Sequence, residues 1–242
     1  MPYQNYHRHS HYSNIILADS VALNEDYAKR AVELGHTILS SCEHGTPGNY
    51  REVATLAAKY GLKWRYVAEP YFVKDRLAVD SEGKRDRKNC HLIVAAKTEK
   101  GIGDLNFALS EANISGYYFR PRLDMELLMQ LDPRDVFVTS ACIGGVWQYG
   151  ATRDPETKAV SWDFTEPDKI ILQLYNHFRD SFMLEVQCHN TEEQRILNKH
   201  ILELYRAYHI PIIAGMDSHY ISPEDDKLRN MRLEANHITY ED

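Results

Sequence analysis

Short apolar runs alternate with stretches of helical spacing along this chain. Residues 3–9 read as an opening strand, and 37–41, 62–73, 91–96, 136–140, 182–187 and 210–214 read as six more. Between them, residues 24–34 place Tyr27, Ala28, Ala31 and Leu34 on one helical face, with Gly35 as the stop. Residues 52–60 form a helix closed by Gly61, and 100–112, 121–131, 169–178 and 191–208 complete the helical set. Strand–helix alternation predicts an α/β fold with a mainly parallel sheet. Seven strands with helices between many of them point to a closed or nearly closed barrel. In such barrels the chemistry sits at the C-terminal ends of the strands. Two polar segments interrupt the pattern. Residues 75–89 are charged and read as a hairpin or mobile loop, and 149–167 are rich in turn formers and read likewise.

Composition narrows the class. With 242 residues and 43% hydrophobic positions, the chain can bury a sizeable core, and we read residues 1–242 as a single domain. No apolar stretch is long enough to span a bilayer, and the polar, histidine-rich N-terminus is not a signal peptide. The four cysteines (Cys42, Cys90, Cys142, Cys188) form no CxxC pair and read as reduced thiols of a cytoplasmic protein. The formal net charge of -7 argues against a surface that grips duplex DNA through its phosphates. It leaves a nucleic-acid substrate open, because bound cations supply positive charge locally. Residues 233–242 carry no obvious helix terminator, as expected of the N-terminal piece of a longer chain.

The placement of metal-type side chains is more informative. His7, His9, Asp19, His44, Glu69, His91, Cys142, Asp217 and His219 fall at or near the ends of successive apolar runs. Asp19 stands apart from the strands, and His91 opens its run rather than closing it. Strand alternation puts His7 and His9 on one side, and Asp217 and His219 on one side. Taken singly, each has an ordinary reading: a surface histidine, a strand-edge polar residue, or, for Cys142, a small buried apolar group. Jointly they form a set of imidazoles, carboxylates and one thiol suited to a multinuclear metal site that hydrolyses phosphate esters. The donor set suits zinc, manganese or iron. Arg8, Arg120 and Arg122 are candidate phosphate contacts, and His189 is a candidate neighbour of the site. His36, His177, His200, His209 and His237 read as structural or exposed, and the 84–88 charge cluster as a solvated loop.

The order of these residues carries a resemblance. His7-Arg8-His9-Ser10-His11-Tyr12-Ser13 with Asp19-Ser20 resembles the first motif of the polymerase and histidinol phosphatase (PHP) family. Glu43-His44-Gly45 resembles its second, usually Asp-His-Gly, so Glu43 is a departure. Glu69, His91 and Asp217-Ser218-His219 match the remaining ligand positions. Residues 117–124, 139–145 and His219-Tyr220 look like the polymerase branch, which typically carries cysteine at the Cys142 position. The resemblance runs from about residue 3 to about 232. It implies a distorted (β/α)7 barrel with two to three divalent metal ions held by all nine residues at the C-terminal ends of the strands. Asp19, His44, Glu69 and Asp217 are then the candidate catalytic groups.

The expected activity is metal-dependent phosphodiester hydrolysis at DNA 3′ ends, a 3′–5′ exonuclease module attached to the remainder of a DNA polymerase. Two other readings compete. One is a phosphomonoesterase acting on a small metabolite. The other is a metal-stabilised domain that braces a polymerase without turning anything over.

Overall fold

The computed structural model describes residues 3–15, 18–157 and 159–236, and its contacts cluster into two compact units. The first comprises Met1–Glu69 with Gly215–Asp242, and the second Pro70–Ala214. Of the C-terminal stretch 233–242, residues 237–242, His237 among them, lie outside the described residues.

In the first unit, α1 (Asn24–Glu33) and α2 (Tyr50–Tyr60) pack beside a parallel pair, β1 (Ile38–Ser40) and β2 (Lys63–Arg65), followed by β3 (Val67–Ala68). Helical spacing explains the packing: Tyr27, Ala28 and Ala31 of α1 and Val53, Leu56 and Ala57 of α2 are buried, one face per helix. They enclose Leu39 and Ala22, with Trp64, Leu62 and Ile221 against them. Both helices stop where expected. Gly61 takes φ +70° at the end of α2, and Leu62 N donates back to the Ala57 carbonyl at 2.8 Å, which closes the last turn. A further helix, Asp226–Ala235, ends the described part of this unit.

The opening strand expected over residues 3–9 is reduced to a bridge. Arg8 pairs with Ser218, through His9 N to the Ser218 carbonyl at 2.7 Å. The strand expected over 62–73 is broken into β2, β3 and β4 (Tyr71–Val73). Pro70, which has no N–H to give a ladder, separates the last two.

In the second unit, β5 (Cys90–His91) and β6 (Ile93–Ala96) precede α3 (Glu99–Ile114), β7 (Arg122–Asp124) and the short α4 (Met125–Leu128). Then come β8 (Val136–Thr139), a hairpin of β9 (Ala151–Arg153) and β10 (Val160–Trp162), α5 (Thr165–Phe178), β11 (Phe182–Val186), α6 (Glu192–Tyr208) and β12 (Ile212–Ala214). Residues 121–131 are therefore not one helix. Asp124 ends β7 and caps α4 by accepting from Leu127 N at 3.2 Å, which divides the segment.

Strand pairing in this unit is mixed rather than mainly parallel. β11 pairs parallel with β8 and β12, and β4 with β7, but β6 runs antiparallel to β8 and β5 to β4. The β4–β5 connection contains no helix, and without a crossover the returning strand pairs antiparallel. That connection, residues 75–89, holds turns rather than a strand hairpin. Asp75 and Asp80 fix it by accepting from Leu77 N and Lys84 N. Mixed α/β content stands as expected.

Candidate metal centre

The first unit alone gathers seven of the nine expected donors. His7 Nε2 lies 3.1 Å from Asp217 Oδ1 and 3.4 Å from Glu69 Oε1. His9 Nε2 lies 3.2 Å from the same Asp217 oxygen and 3.4 Å from Glu69 Oε2. His44 places Nδ1 beside Glu69 Oε2 at 2.5 Å and Nε2 at 3.4 Å from Asp19 Oδ2. His219 Nε2 is 3.2 Å from that Asp19 oxygen. The rings of His44 and His219 stack against His9, with centroids at 4.0 and 4.6 Å. His7, His9, Asp19, His44, Glu69 and His219 are buried, and Asp217 is half-buried.

Local backbone places these groups. The bridge between Arg8 and Ser218 sets the His7–His9 segment beside the 217–219 segment. A second bridge sets His44 beside Glu69. Asp217 adopts φ +48°, a conformation aspartate tolerates better than most residues. It sends its side chain to His7 and His9 while its carbonyl accepts from His219 Nδ1 at 2.9 Å.

Proton accounting tests whether a cation fits. His219 Nδ1 faces a carbonyl, so that nitrogen carries a proton, and Nε2 at 3.2 Å from Asp19 Oδ2 needs a second proton or a cation; burial opposes charge on the ring, but Asp217 and Asp19 push it up. His9 Nδ1 contacts Ser13 Oγ at 2.9 Å, and its Nε2 faces Asp217 Oδ1 at 3.2 Å. Lone pairs of neutral imidazoles aimed at carboxylate oxygens repel unless a proton or a metal ion lies between them. Three carboxylates in a largely buried pocket add the same demand, since buried charge must be compensated.

The titration of the group follows from this crowding. Burial, with His44 beside it, pushes His9 down to about 3. Burial also works against charge on His44, yet Glu69 and Asp19 push it up to about 10. Asp19, despite burial that opposes ionisation, is held well below the usual carboxylate range by His219 and His44. Burial pushes the Glu43 carboxyl up, against Arg8 and the Ser10 and Ser13 hydroxyls, which hold it down. Without metal, then, His44 holds a proton that a bound cation would replace.

The other two expected donors form a pair in the second unit. Cys142 Sγ lies 3.9 Å from His91 Nδ1 and accepts from Gly144 N at 3.3 Å. The chain turns sharply after β8 with Ala141 at φ +57°, and His91 forms a bridge with Gly145. A side chain at Gly145 would strike the Ser140 carbonyl at 2.2 Å, so only glycine lets this loop return so closely.

Two substrate expectations are corrected. Arg8 is buried, with Nη1 donating to Asn24 Oδ1 at 2.6 Å, Nη2 to the Ser40 carbonyl, and the guanidinium 4.7 Å from the Tyr27 ring centre. Arg122 is likewise buried, donating from Nε to the Gly116 carbonyl at 2.8 Å and from Nη2 to the Arg76 carbonyl at 2.6 Å. Guanidinium groups committed to internal acceptors brace the fold and are not presented to a phosphate. Arg120, half-buried over the Tyr71 ring, and His189, exposed after β11, both belong to the second unit.

Sequence reasoning missed the group around Glu43. Ser10, Ser13 and Asn49 all donate to its carboxylate. The two serines stood inside the histidine motif, but spacing alone did not show that they face Glu43. It also passed over Cys42, whose sulfur lies within 4.8 Å of ligand atoms of His7 and His9.

A buried imidazole–carboxylate cluster on an α/β frame is the setting of the comparison with known proteins. The family model for the PHP domain matches residues 5–189, and the chain belongs to that family. It is similar to DNA polymerase III subunit alpha of Aquifex aeolicus, 32% identical over 225 residues, covering 90% of this chain and 18% of that protein. The same subunit of Helicobacter pylori (strain 26695) is 28% identical over 229 residues, 94% of this chain and 18% of the relative. The chain thus spans under a fifth of the length of these curated relatives. Among solved structures, an amidohydrolase from Chromobacterium violaceum superposes with a TM-score of 0.52 at 12% identity, covering 94% of this chain and 96% of that one, a likeness of fold alone. No helix among the described residues is long and apolar enough to cross a membrane.

Proposed function

We propose that this chain is a metal-dependent phosphoesterase that hydrolyses phosphodiesters at the 3′ end of single-stranded DNA, as a cytoplasmic 3′–5′ exonuclease module of a replicative DNA polymerase. One observation carries the metal reading: the Nε2 atoms of His9 and His219 face carboxylate oxygens at 3.2 Å. The polymerase relatives support the DNA reading and the proposed partner, the remainder of a polymerase chain.

In this reading His7, His9, Asp19, His44, Glu69, Asp217 and His219 hold the ions in the first unit. The family resemblance adds His91 and Cys142, and with them two to three divalent ions (zinc, manganese or iron) in one distorted (β/α)7 barrel domain. When bound, such ions lower the pKa of water and offset charge on phosphate oxygens. The residues supply the rest. Asp217 and Glu69 each face both His7 and His9, and so fix their separation. Asp19 does the same for His44 and His219. His44 sets Nε2 3.4 Å from Asp19 Oδ2, so a proton on that nitrogen has an acceptor in Asp19.

Protein loaded separately with zinc, manganese and iron(II) and incubated with a 5′-labelled single strand tests the proposal. Stepwise shortening from the 3′ end is expected. Full occupancy with each metal and no product would overturn it. A faster rate on a generic aryl phosphate than on DNA or a dinucleotide would shift the assignment to a phosphomonoesterase.

A further inference from the structure

We propose that Glu43 and Ser13 are positioning residues that fix the tautomer of His9, leaving Nε2 as the ring's only cation-binding nitrogen. The inference deepens the metal reading above and rests on it.

Hydrogen counting at Ser13 carries it. The Ser13 hydroxyl has one proton and makes three contacts: Glu43 Oε2 at 2.6 Å, His44 N at 3.1 Å and His9 Nδ1 at 2.9 Å. The His44 amide can only donate. If the hydroxyl proton goes to Glu43, the third contact is satisfied only when His9 Nδ1 brings its own proton. Nε2 is then bare.

Whether the hydroxyl proton goes to Glu43 depends on what else surrounds that carboxylate. Its side chain is fully buried. Ser10 N donates to Oε2 at 3.0 Å, and the Ser10 hydroxyl donates to Oε1 at 2.5 Å while accepting from Tyr12 N at 3.3 Å. The Asn49 amide also donates to Oε1. The Ser10 amide and the Asn49 side-chain amide can only donate, and each serine hydroxyl already accepts a backbone N–H, from Tyr12 and from His44, so the contacts fit an ionised carboxylate that takes both hydroxyl protons. A chain of command runs from Glu43 through Ser13 to His9. The same Ser13 oxygen takes the amide of His44, so one hydroxyl fixes the ring of one candidate ligand and the backbone of another. Glu43 stands where the family usually carries aspartate, and its role here requires only a carboxylate that reaches Ser13.

Two measurements test this. The first is the His9 tautomer in metal-free protein, read from long-range ¹H–¹⁵N couplings in the imidazole ring. A proton on Nδ1 is expected in the wild-type chain, and a proton on Nε2 would overturn the proposal without any variant. The second is manganese and zinc affinity of Ser13→Ala, Glu43→Gln and the double variant by titration calorimetry. Each single change is expected to weaken binding by about 10–100-fold, the range for groups that orient a metal-binding histidine. The double variant should lose little more than either, because both act on one hydrogen-bonded path. Losses that multiply, or weakened binding with the His9 proton still on Nδ1, would overturn the proposal. A wild-type chain that binds neither metal would instead refute the metal reading, while the tautomer measurement would still stand.

Discussion

The seven donors of the first unit and the His91–Cys142 pair of the second are held in different ways. Around the seven, hydrogen bonds set ring orientation before any ion arrives: the Asp217 carbonyl holds His219, and Ser13 holds His9. Around the pair, the sulfur accepts from a backbone amide, and the close return of a glycine loop sets the approach. The first arrangement is rich in carboxylates and imidazoles, the second is one thiol and one imidazole. The comparison teaches that one chain can build a preoriented oxygen–nitrogen cluster in one unit and a softer nitrogen–sulfur pair in the other.

The largest effect should come from breaking the first group. Asp217→Asn is expected to weaken manganese or zinc binding by more than about 100-fold, beyond the loss typical of a supporting residue. Exonuclease turnover should disappear with it. If the variant loses thermal stability and the wild-type chain never had activity, the bracing role wins instead.

Metal removal comes next. At a free metal concentration of 100 times Kd, binding adds about 2.7 kcal/mol of stability. Chelation should then lower Tm by about 5–10 °C for a chain of this size. Scanning calorimetry with and without chelator measures it. One cooperative transition in both states is expected of a single domain, and two separated transitions would speak against it.

Protons sharpen the comparison further. His44 is pushed up to about 10, so in metal-free protein it is protonated at neutral pH, and a metal taken at one of its nitrogens must displace that proton. Affinity should therefore fall as pH is lowered, by about tenfold per unit for each proton released. Calorimetric titration in buffers of different ionisation enthalpy counts the released protons.

The smallest effect is the most discriminating. Cys142→Ser should lower zinc affinity more than manganese affinity, because thiolate favours the softer ion. An equal loss for both metals would remove the distinction between the two groups.

Much of this was legible in the sequence, for identifiable reasons. Most helices were, because apolar spacing and stop residues such as Gly61 act locally; residues 121–131, split into β7 and α4, were not. The clustering of seven metal-type residues was, because imidazoles and carboxylates recur at the edges of successive apolar runs. Strand direction was not. The antiparallel pairing of β6 with β8 depends on contacts far apart in sequence, and an apolar run reads the same in either direction. Nor could spacing reveal that Arg8 and Arg122 spend their donors internally. A charged residue next to a motif looks accessible until its acceptors are known. The Glu43 network was hidden for the same reason: Ser10 and Ser13 meet it across about thirty residues of intervening chain.

The left-handed backbone of Asp217 has a practical consequence for mutagenesis. Asparagine is comfortable in that region, whereas alanine there carries a steric penalty unrelated to ligation. A survey that truncates every candidate to alanine would therefore mix two losses at this position, one chemical and one conformational. An amide replacement separates them, and a glycine control would show how much of any alanine defect comes from the main chain alone.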